Sequence, residues 1–551
     1  MSLRNVSEPR SAAVSVREAT AAHQQQREAL HKTIWRLAED MRGAVDGWEF
    51  KQYVLGLLFY RYISENLTEY VNTLTREATD DESFDYAAQD DRYALKGRGR
   101  IVAEKGFFIL PSNLFVNINA TARDDPGLNE TLAQAFGYIE TSAYGQPSED
   151  DFKGLFDDMD MNHKRLGATV AERNRRLVKM LGTIAGLDMD SSEFGQDAAD
   201  IFGDAYEFLM TMYASSAGKS GGEFFTPQDV SALLTQIAAA GRKQVNRVYD
   251  PACGSGSLLL NFRKLLGPDA VRQGYYGQDV NLTTYNLCRI NMLLHDVNFD
   301  KFSIAHGDTL THPKHWDDQP FDAIVSNPPY SIDWIGDDDP NLINDPRYAP
   351  AGVLAPKKKK ADLAFTMHML HWLAQGGTAA IMQFPGAMYR GGAEAKIRKY
   401  LVDQNYVEAV IALPSALFFG TTIATYILVL HKGKTDDTVL FIDASAEWEK
   451  VPNKPKNSSK TQQMGDAHRA KVIQALRDRE DVPHFAALAD RAAIEATGYN
   501  LTVGGYVEAE DTREVIDIKV LNADIADIVA RQSALRAELD ALVAELEGDA
   551  A

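Results

Sequence analysis

Apolar positions follow three different spacings along this chain. In the first part the period is helical. Residues 24–41 set Leu30, Ile34 and Leu37 three to four apart, and residues 48–67 are rich in Leu, Tyr and Phe. There Tyr53, Leu57, Tyr60 and Ser64 fall on one helix face, which predicts core aromatics rather than ligand stackers. Residues 79–125 carry Gly and Asp clusters and read as loop-rich; helical spacing resumes over 163–181.

From about residue 244 to 440 short apolar runs alternate with helical stretches. Strands are predicted at 247–250, 274–278, 302–306, 321–326, 379–384, 407–413 and 424–431, with helices at 258–266, 282–295 and 363–374. Such alternation predicts an α/β fold with a parallel, doubly wound, Rossmann-like sheet, whose ligands sit at the carboxyl ends of the strands.

The third spacing is a heptad. Leu521, Ile525, Ile528, Gln532, Leu535, Leu539, Leu542 and Leu546 step by three and four, with Gln532 as the one polar interruption. Such a helix can pack on its own domain. Its terminal position and charged flanks favour a partner helix, in another chain or in an intramolecular coiled coil. The predicted domains are a helical one at 1–192, the α/β domain at 193–480 and a C-terminal segment at 481–551.

Composition narrows the class. The 551 residues are 45% hydrophobic and 25% charged, as in a soluble globular protein of two or three domains. Cys253 and Cys288 are the only cysteines and form no metal-ligand spacing, so neither a disulfide framework nor a structural zinc is expected. No apolar leader occupies residues 1–16 and no apolar run reaches membrane-spanning length, which predicts a cytoplasmic chain without membrane contact. The formal net charge is −21. A protein gripping duplex DNA alone over a broad surface is more basic, so phosphate contacts are expected from a partner or from local patches. Lys357-Lys358-Lys359-Lys360 is one such patch, read equally as a solvated loop or a DNA contact.

The chemistry concentrates after the predicted strands. Asp250-Pro251-Ala252-Cys253-Gly254-Ser255-Gly256 joins the first strand to a helix, and its glycines let backbone approach a ligand. Many α/β proteins have such a turn, so alone it says little. Asp279 ends the second strand, where an acid can accept both hydroxyls of a ribose. Asp308 follows the third, within reach of an adenine amino group. Each acid alone also fits a cap. Asn327-Pro328-Pro329-Tyr330 closes the fourth strand. A rigidly held Asn offers a carbonyl oxygen to an amino group, and the Tyr a flat face beside it. That suits transfer to a nitrogen on a planar group, with adenine N6 the leading candidate.

In this order the pieces resemble the S-adenosylmethionine-dependent amino-methyltransferases of DNA. Gly222-Glu223-Phe224-Phe225-Thr226-Pro227, Ala361-Asp362-Leu363-Ala364-Phe365, Arg390-Gly391-Gly392-Ala393-Glu394 and 413–421 make the chain similar, from about Leu30 onward, to the modification (HsdM) subunit of type I restriction–modification systems. The resemblance implies S-adenosylmethionine as cofactor, held by Glu223, Thr226, Cys253, Gly254, Gly256, Asp279 and Asp308, with Asp250 shaping the loop. It implies Asn327, Pro328, Pro329 and Tyr330 as catalytic, no metal, and Tyr330 stacking on a flipped base with Phe418 or Phe419 as the candidate second face; core packing is the competing reading of both. The implied partners are DNA, a separate specificity subunit, a restriction subunit and a second copy of the chain.

Other readings stay open on sequence. Glutamine methyltransferases share the tetrapeptide. A stand-alone DNA methyltransferase needs a target-reading module, for which little chain remains after Val439. A non-catalytic cofactor-binding subunit conflicts with the intact motifs. Gly218-Lys219-Ser220 imitates the end of a P-loop, but Tyr213 stands where its first Gly belongs. His368 and His371, one helical turn apart, are too few for a metal.

Overall fold

The computed structural model describes residues 47–187, 208–209, 226–358, 360–419, 421–451, 460–509 and 518–548. Its contacts divide the chain into Met1–Val507 and Glu508–Ala551.

In the larger unit, the helix Gly47–Thr79 carries Tyr53, Leu57, Tyr60 and Ser64 into a core, as their spacing predicts. Tyr60 meets Phe115 and Phe136 edge-on at 5.7 and 5.2 Å, and Phe136 stacks on Phe156 at 4.5 Å. The helix Val170–Ala185 closes this core and begins with a capping box, Thr169 against Glu172. The expected helix at 24–41 lies outside the described residues. The stretch read as loop holds three short α-helices, Asp91–Ala94, Arg98–Lys105 and Phe115–Thr121, and a longer one, Leu128–Ser142, was not expected at all. Seven- and eight-residue helices show hardly two turns of period; burial of Ile101, Val102, Phe115 and Ile118 holds them.

The α/β part has strands β1 (Val245–Asp250), β2 (Val271–Asp279), β3 (Phe302–His306), β4 (Phe321–Ser326), β5 (Leu373–Gln383), β6 (Val407–Ala412), β7 (Tyr426–His431), β8 (Val439–Asp443), β9 (Glu449–Lys450), β10 (Gln462–Gln463) and β11 (Ala486–Ala489). Nine of them form one sheet in the order β11-β8-β6-β7-β5-β4-β1-β2-β3. Strands β1 to β5 pair in parallel, β7 runs antiparallel to β5 and β6, and β11 antiparallel to β8. Chain order reverses direction between β1 and β4, the crevice where ligands of doubly wound sheets bind. The seven predicted strands are all present. β8 and β11 were not anticipated, and β11 carries residues assigned by sequence to the C-terminal segment into the central sheet. Four alternating-sparse residues, Ala486-Ala487-Leu488-Ala489, give no pattern to read; pairing with β8 makes them a strand.

The helix Leu282–Leu294 joins the two parts of this unit. Its Leu287, Ile290 and Leu294 enter the helical core. Buried Arg289 donates to the carbonyls of Asp150, Asp151 and Lys153 at 3.0, 3.2 and 3.0 Å. An Arg that satisfies three carbonyls of another segment fixes that segment's position.

The described residues of the smaller unit include the helix Ile518–Gly548. Its stripe is solvent-exposed, with Ile525 at 49%, Leu535 at 66% and Leu546 at 73%. Among the described residues no helix is long and apolar enough to cross a membrane.

Candidate active site

Parallel pairing brings the carboxyl ends of β1 to β4 to one sheet edge: Asp250 is level with Gly277, Asp279 with His306, and Tyr249 with Ile324. The loop after β1 turns through Gly254 (φ +52°) and Gly256 (φ +78°), both in the left-handed region. A Cβ on Gly256 would stand 2.7 Å from the Cys288 sulfur, so only glycine fits. The loop is tied to β2 by Cys253 N–H donating to the Gln278 carbonyl (3.1 Å) and Gly254 N–H donating to Asp279 Oδ2 (2.9 Å).

The acids differ in setting. Asp250 is fully buried; its Oδ1 accepts from Ala252 N–H (3.0 Å) and the Ser326 hydroxyl (2.8 Å), while Oδ2 has no hydrogen-bond partner. Burial pushes its carboxyl up to about 7. It thereby braces the β1 loop against β4. Half-buried Asp279 also accepts from Asn281 N–H (2.9 Å) and the Thr284 hydroxyl (2.7 Å) through Oδ1, leaving capacity on Oδ2. Asp308 is exposed and receives Leu310 N–H and the Thr311 hydroxyl, each at 2.9 Å. Cys253 is buried beside Cys288, and a side-chain hydrogen bond with Cys288, then the loss of solvent, hold its thiol well above the usual range, unlike a nucleophilic thiolate. Glu223 lies outside the described residues, as does the segment around Lys219.

Asn327 follows β4. Its Nδ2 donates to the buried Thr226 hydroxyl at 3.1 Å, and its Oδ1 accepts from the Tyr330 hydroxyl. Thr226, expected at the cofactor, is thus seen orienting the Asn327 amide. Pro328 is buried, and Pro329 and Tyr330 are half-buried. The Tyr330 ring lies 6.2 Å from Phe384 (tilted 38°) and 6.4 Å from Phe418, edge-on. Burial, then the charge of Asp362, raise the Tyr330 hydroxyl's pKa far above its ordinary value. Phe418 sits in the α/β core and Phe419 packs on the helical core; both follow the packing reading rather than offering a face. Phe384 was missed; its place just past β5, the strand beside β4, was the available signal.

The lysine run is divided. Lys357 pairs with Asp338 at 2.7 Å, Lys360 with Glu394 at 3.4 Å, and Lys358 is exposed. His368 is fully buried: Nδ1 accepts from Arg347 (3.1 Å), so Nε2 donates to the Tyr249 hydroxyl (3.0 Å). Burial and Arg347 keep it neutral, in a structural network. Among the described residues no three His, Cys, Asp or Glu converge as a metal site.

The N-6 DNA Methylase family pattern matches residues 197–515, and the HsdM N-terminal domain pattern matches 30–184. The chain is 45% identical to the methylase subunit of type I restriction enzyme MpnII from Mycoplasma pneumoniae, over 95% of this chain and 97% of that one. It is 30% identical to the MjaVII methylase subunit from Methanocaldococcus jannaschii, over 66% and 61%. It superposes with TM-score 0.76 and 36% identity on a type I restriction–modification methyltransferase subunit from Streptococcus thermophilus, covering 88% of this chain and all (100%) of that one. The chain therefore belongs to the N-6 DNA methylase family, as an adenine-N6 DNA methyltransferase of the type I methylase-subunit kind.

Proposed function

We propose that this chain binds S-adenosylmethionine over β1 to β3 and methylates N6 of an adenine swung out of duplex DNA, at a site that a separate specificity subunit selects. The observation that carries this is the Asn327 amide, held between two hydroxyls at the end of β4, one strand from the glycine loop.

The residues at the sheet edge fit the cofactor. The Gly254–Gly256 turn bares backbone, Asp279 keeps an oxygen with spare capacity for a ribose hydroxyl, and Asp308 lies exposed after β3. When bound, S-adenosylmethionine supplies an electrophilic methyl on a sulfonium sulfur. The chain's own work concerns the amine. Adenine N6 is a poor nucleophile because its lone pair is delocalised into the ring. The second lone pair of Asn327 Oδ1 and the Pro328 carbonyl accept its two N–H groups, drawing the nitrogen toward tetrahedral geometry. Positioning supplies the rest, and no covalent enzyme intermediate is needed. Unstacking a base costs a few kcal/mol, which a Tyr330 stack worth about 1–3 kcal/mol helps to offset.

The exposed stripe of Ile518–Gly548 supports a docking role, and the specificity subunit is the partner we assign to it. Two copies of the chain per complex and an added restriction subunit complete the proposed assembly, in the cytoplasm, where Cys253 and Cys288 remain thiols.

The test is DNA methylation by the chain co-expressed with its specificity partner, comparing wild type with Asn327→Ala. The variant should bind S-adenosylmethionine and transfer no methyl. Methylation persisting in that complex would refute the mechanism, and methyl transfer to protein instead of DNA would refute the substrate.

A further inference from the structure

Two conspicuous segments of the sequence, 361–365 and 390–394, have no part in the mechanism above. The structure brings them together against the tetrapeptide. Ala361 N–H donates to the Ile332 carbonyl (3.3 Å), Trp334 N–H to the Lys357 carbonyl (3.0 Å) and Ser331 N–H to Asp362 Oδ1 (3.2 Å). Lys357, Ala361 and Asp362 are therefore laced to the turn that leaves Tyr330. Arg390 follows the short helix Pro385–Tyr389 at the end of β5, beside β4, and its charge acts on Asp362.

At their meeting point lies Glu394, with a side chain 0% exposed and no hydrogen bond to either carboxylate oxygen. Two cations converge on it without closing a hydrogen bond: Lys360 Nζ at 3.4 Å, 36% exposed, and Arg390 Nη1 at 3.6 Å, 27% exposed. Arg390 Nη1 has no hydrogen-bond partner. A buried carboxylate is costly unless cations compensate it, so this arrangement exists for the position of those cations. Glu394 is inaccessible to solvent and cannot itself read a base. The cations can reach outward.

The position of Arg390 is built in. Its guanidinium lies so close over Gly386 that a Cβ there would collide with it. Arg398 Nη2 donates to the Arg390 carbonyl at 2.7 Å, anchoring the backbone. The charges gathered here are Lys360, Arg390 and buried Arg398 against Glu394 and Asp362, on a chain of net charge −21.

We propose that Lys360 and Arg390, held by buried Glu394, form a clamp for a backbone phosphate next to the extruded adenine. The chemistry fits. Arg390 Nη1 faces Glu394 out of contact with solvent, while the rest of the part-exposed guanidinium and the flexible Lys360 ammonium suit a phosphate, and such contacts fix the register of the nucleic acid without reading sequence. The clamp rests on the DNA-adenine reading above and adds the grip that keeps the flipped nucleotide beside Tyr330.

The test uses the full-length chain with its specificity partner and duplexes carrying the site that this complex methylates. Lys360→Gln and Arg390→Gln should each raise KM for DNA about tenfold, with kcat changed less. Each should reduce the slope of log affinity against log salt by about one, the signature of one lost phosphate contact. Arg390→Lys should recover part of the loss. S-adenosylmethionine affinity should stay as in wild type, while the thermal midpoint falls because Glu394 loses a compensating cation. A duplex with a neutral methylphosphonate beside the target adenine should weaken wild type and leave the Gln variants unaffected, and that arm needs no variant to fold. Unchanged KM and salt slope, or equal losses by the Gln variants on neutral and ordinary linkages, would overturn the clamp. Failure of wild type to methylate DNA would instead overturn the functional reading beneath it.

Discussion

The Tyr330 hydroxyl donates to Oδ1 of Asn327, so the aromatic end of the tetrapeptide is tied to its polar end. One lone pair of the catalytic oxygen is thereby occupied by the same residue whose ring is to meet the base. Ring and hydroxyl separate by substitution. Tyr330→Phe keeps the stacking face and should retain methylation within a few-fold. Tyr330→Ala should lose about 1–3 kcal/mol of base stacking, read as a fall of about five- to 150-fold in kcat/KM. Equal losses for Phe and Ala would assign the role to the hydroxyl.

Thr226 holds the other side of the amide through a 3.1 Å hydrogen bond. Thr226→Val keeps the volume and removes the acceptor, leaving the Asn327 amide free to turn its nitrogen toward the substrate. A lost hydrogen bond of about 1 kcal/mol predicts a kcat lower by roughly three- to tenfold, with Thr226→Ser close to wild type. Unaltered kcat in the Val variant would remove Thr226 from the catalytic arrangement.

Asp250 makes stability depend on pH. Its carboxyl is raised to about 7 in the fold, against about 3.9 in an unfolded chain. Between about pH 4 and 7 the folded state keeps a proton that the unfolded state has released, so this group's contribution falls as pH rises through that window. Asp250→Asn can still accept from Ala252 and Ser326 and does not ionise. Its thermal midpoint should fall less than wild type's between pH 5 and pH 8, measured without cofactor. Parallel pH profiles would contradict this assignment.

Gly256→Ala should break the cofactor loop. The new methyl meets the Cys288 sulfur at 2.7 Å, and φ of +78° strains any L side chain. A loss of at least about 1–2 kcal/mol in stability and at least tenfold weaker S-adenosylmethionine binding by calorimetry are expected. Wild-type affinity in this variant would show that the loop does not approach the cofactor.

Removing the residues after Lys519 deletes most of the Ile518–Gly548 stripe. Co-purification with the specificity subunit should be lost or strongly weakened, while cofactor affinity stays unchanged. Undiminished co-purification would free the helix from that role.

The sequence by itself determined the doubly wound sheet, its first seven strands, the order of motifs along its edge and the identity of the tetrapeptide. Those features are local: a period of two or 3.6, a glycine turn, an Asn beside two prolines. Tertiary structure decided what such signals cannot carry. β11 is four residues long and becomes a strand only by pairing with β8. Asp250 reads as one more acid in a loop, and only the packing of β1 against β4 buries it beneath Ser326. Thr226 lies 101 positions from Asn327, and Lys360 lies 34 positions from Glu394; their meetings depend on where parallel strands end. Hydrogen bonds and ion pairs between distant segments leave no periodic trace in the chain, because only the closed sheet brings their partners within reach.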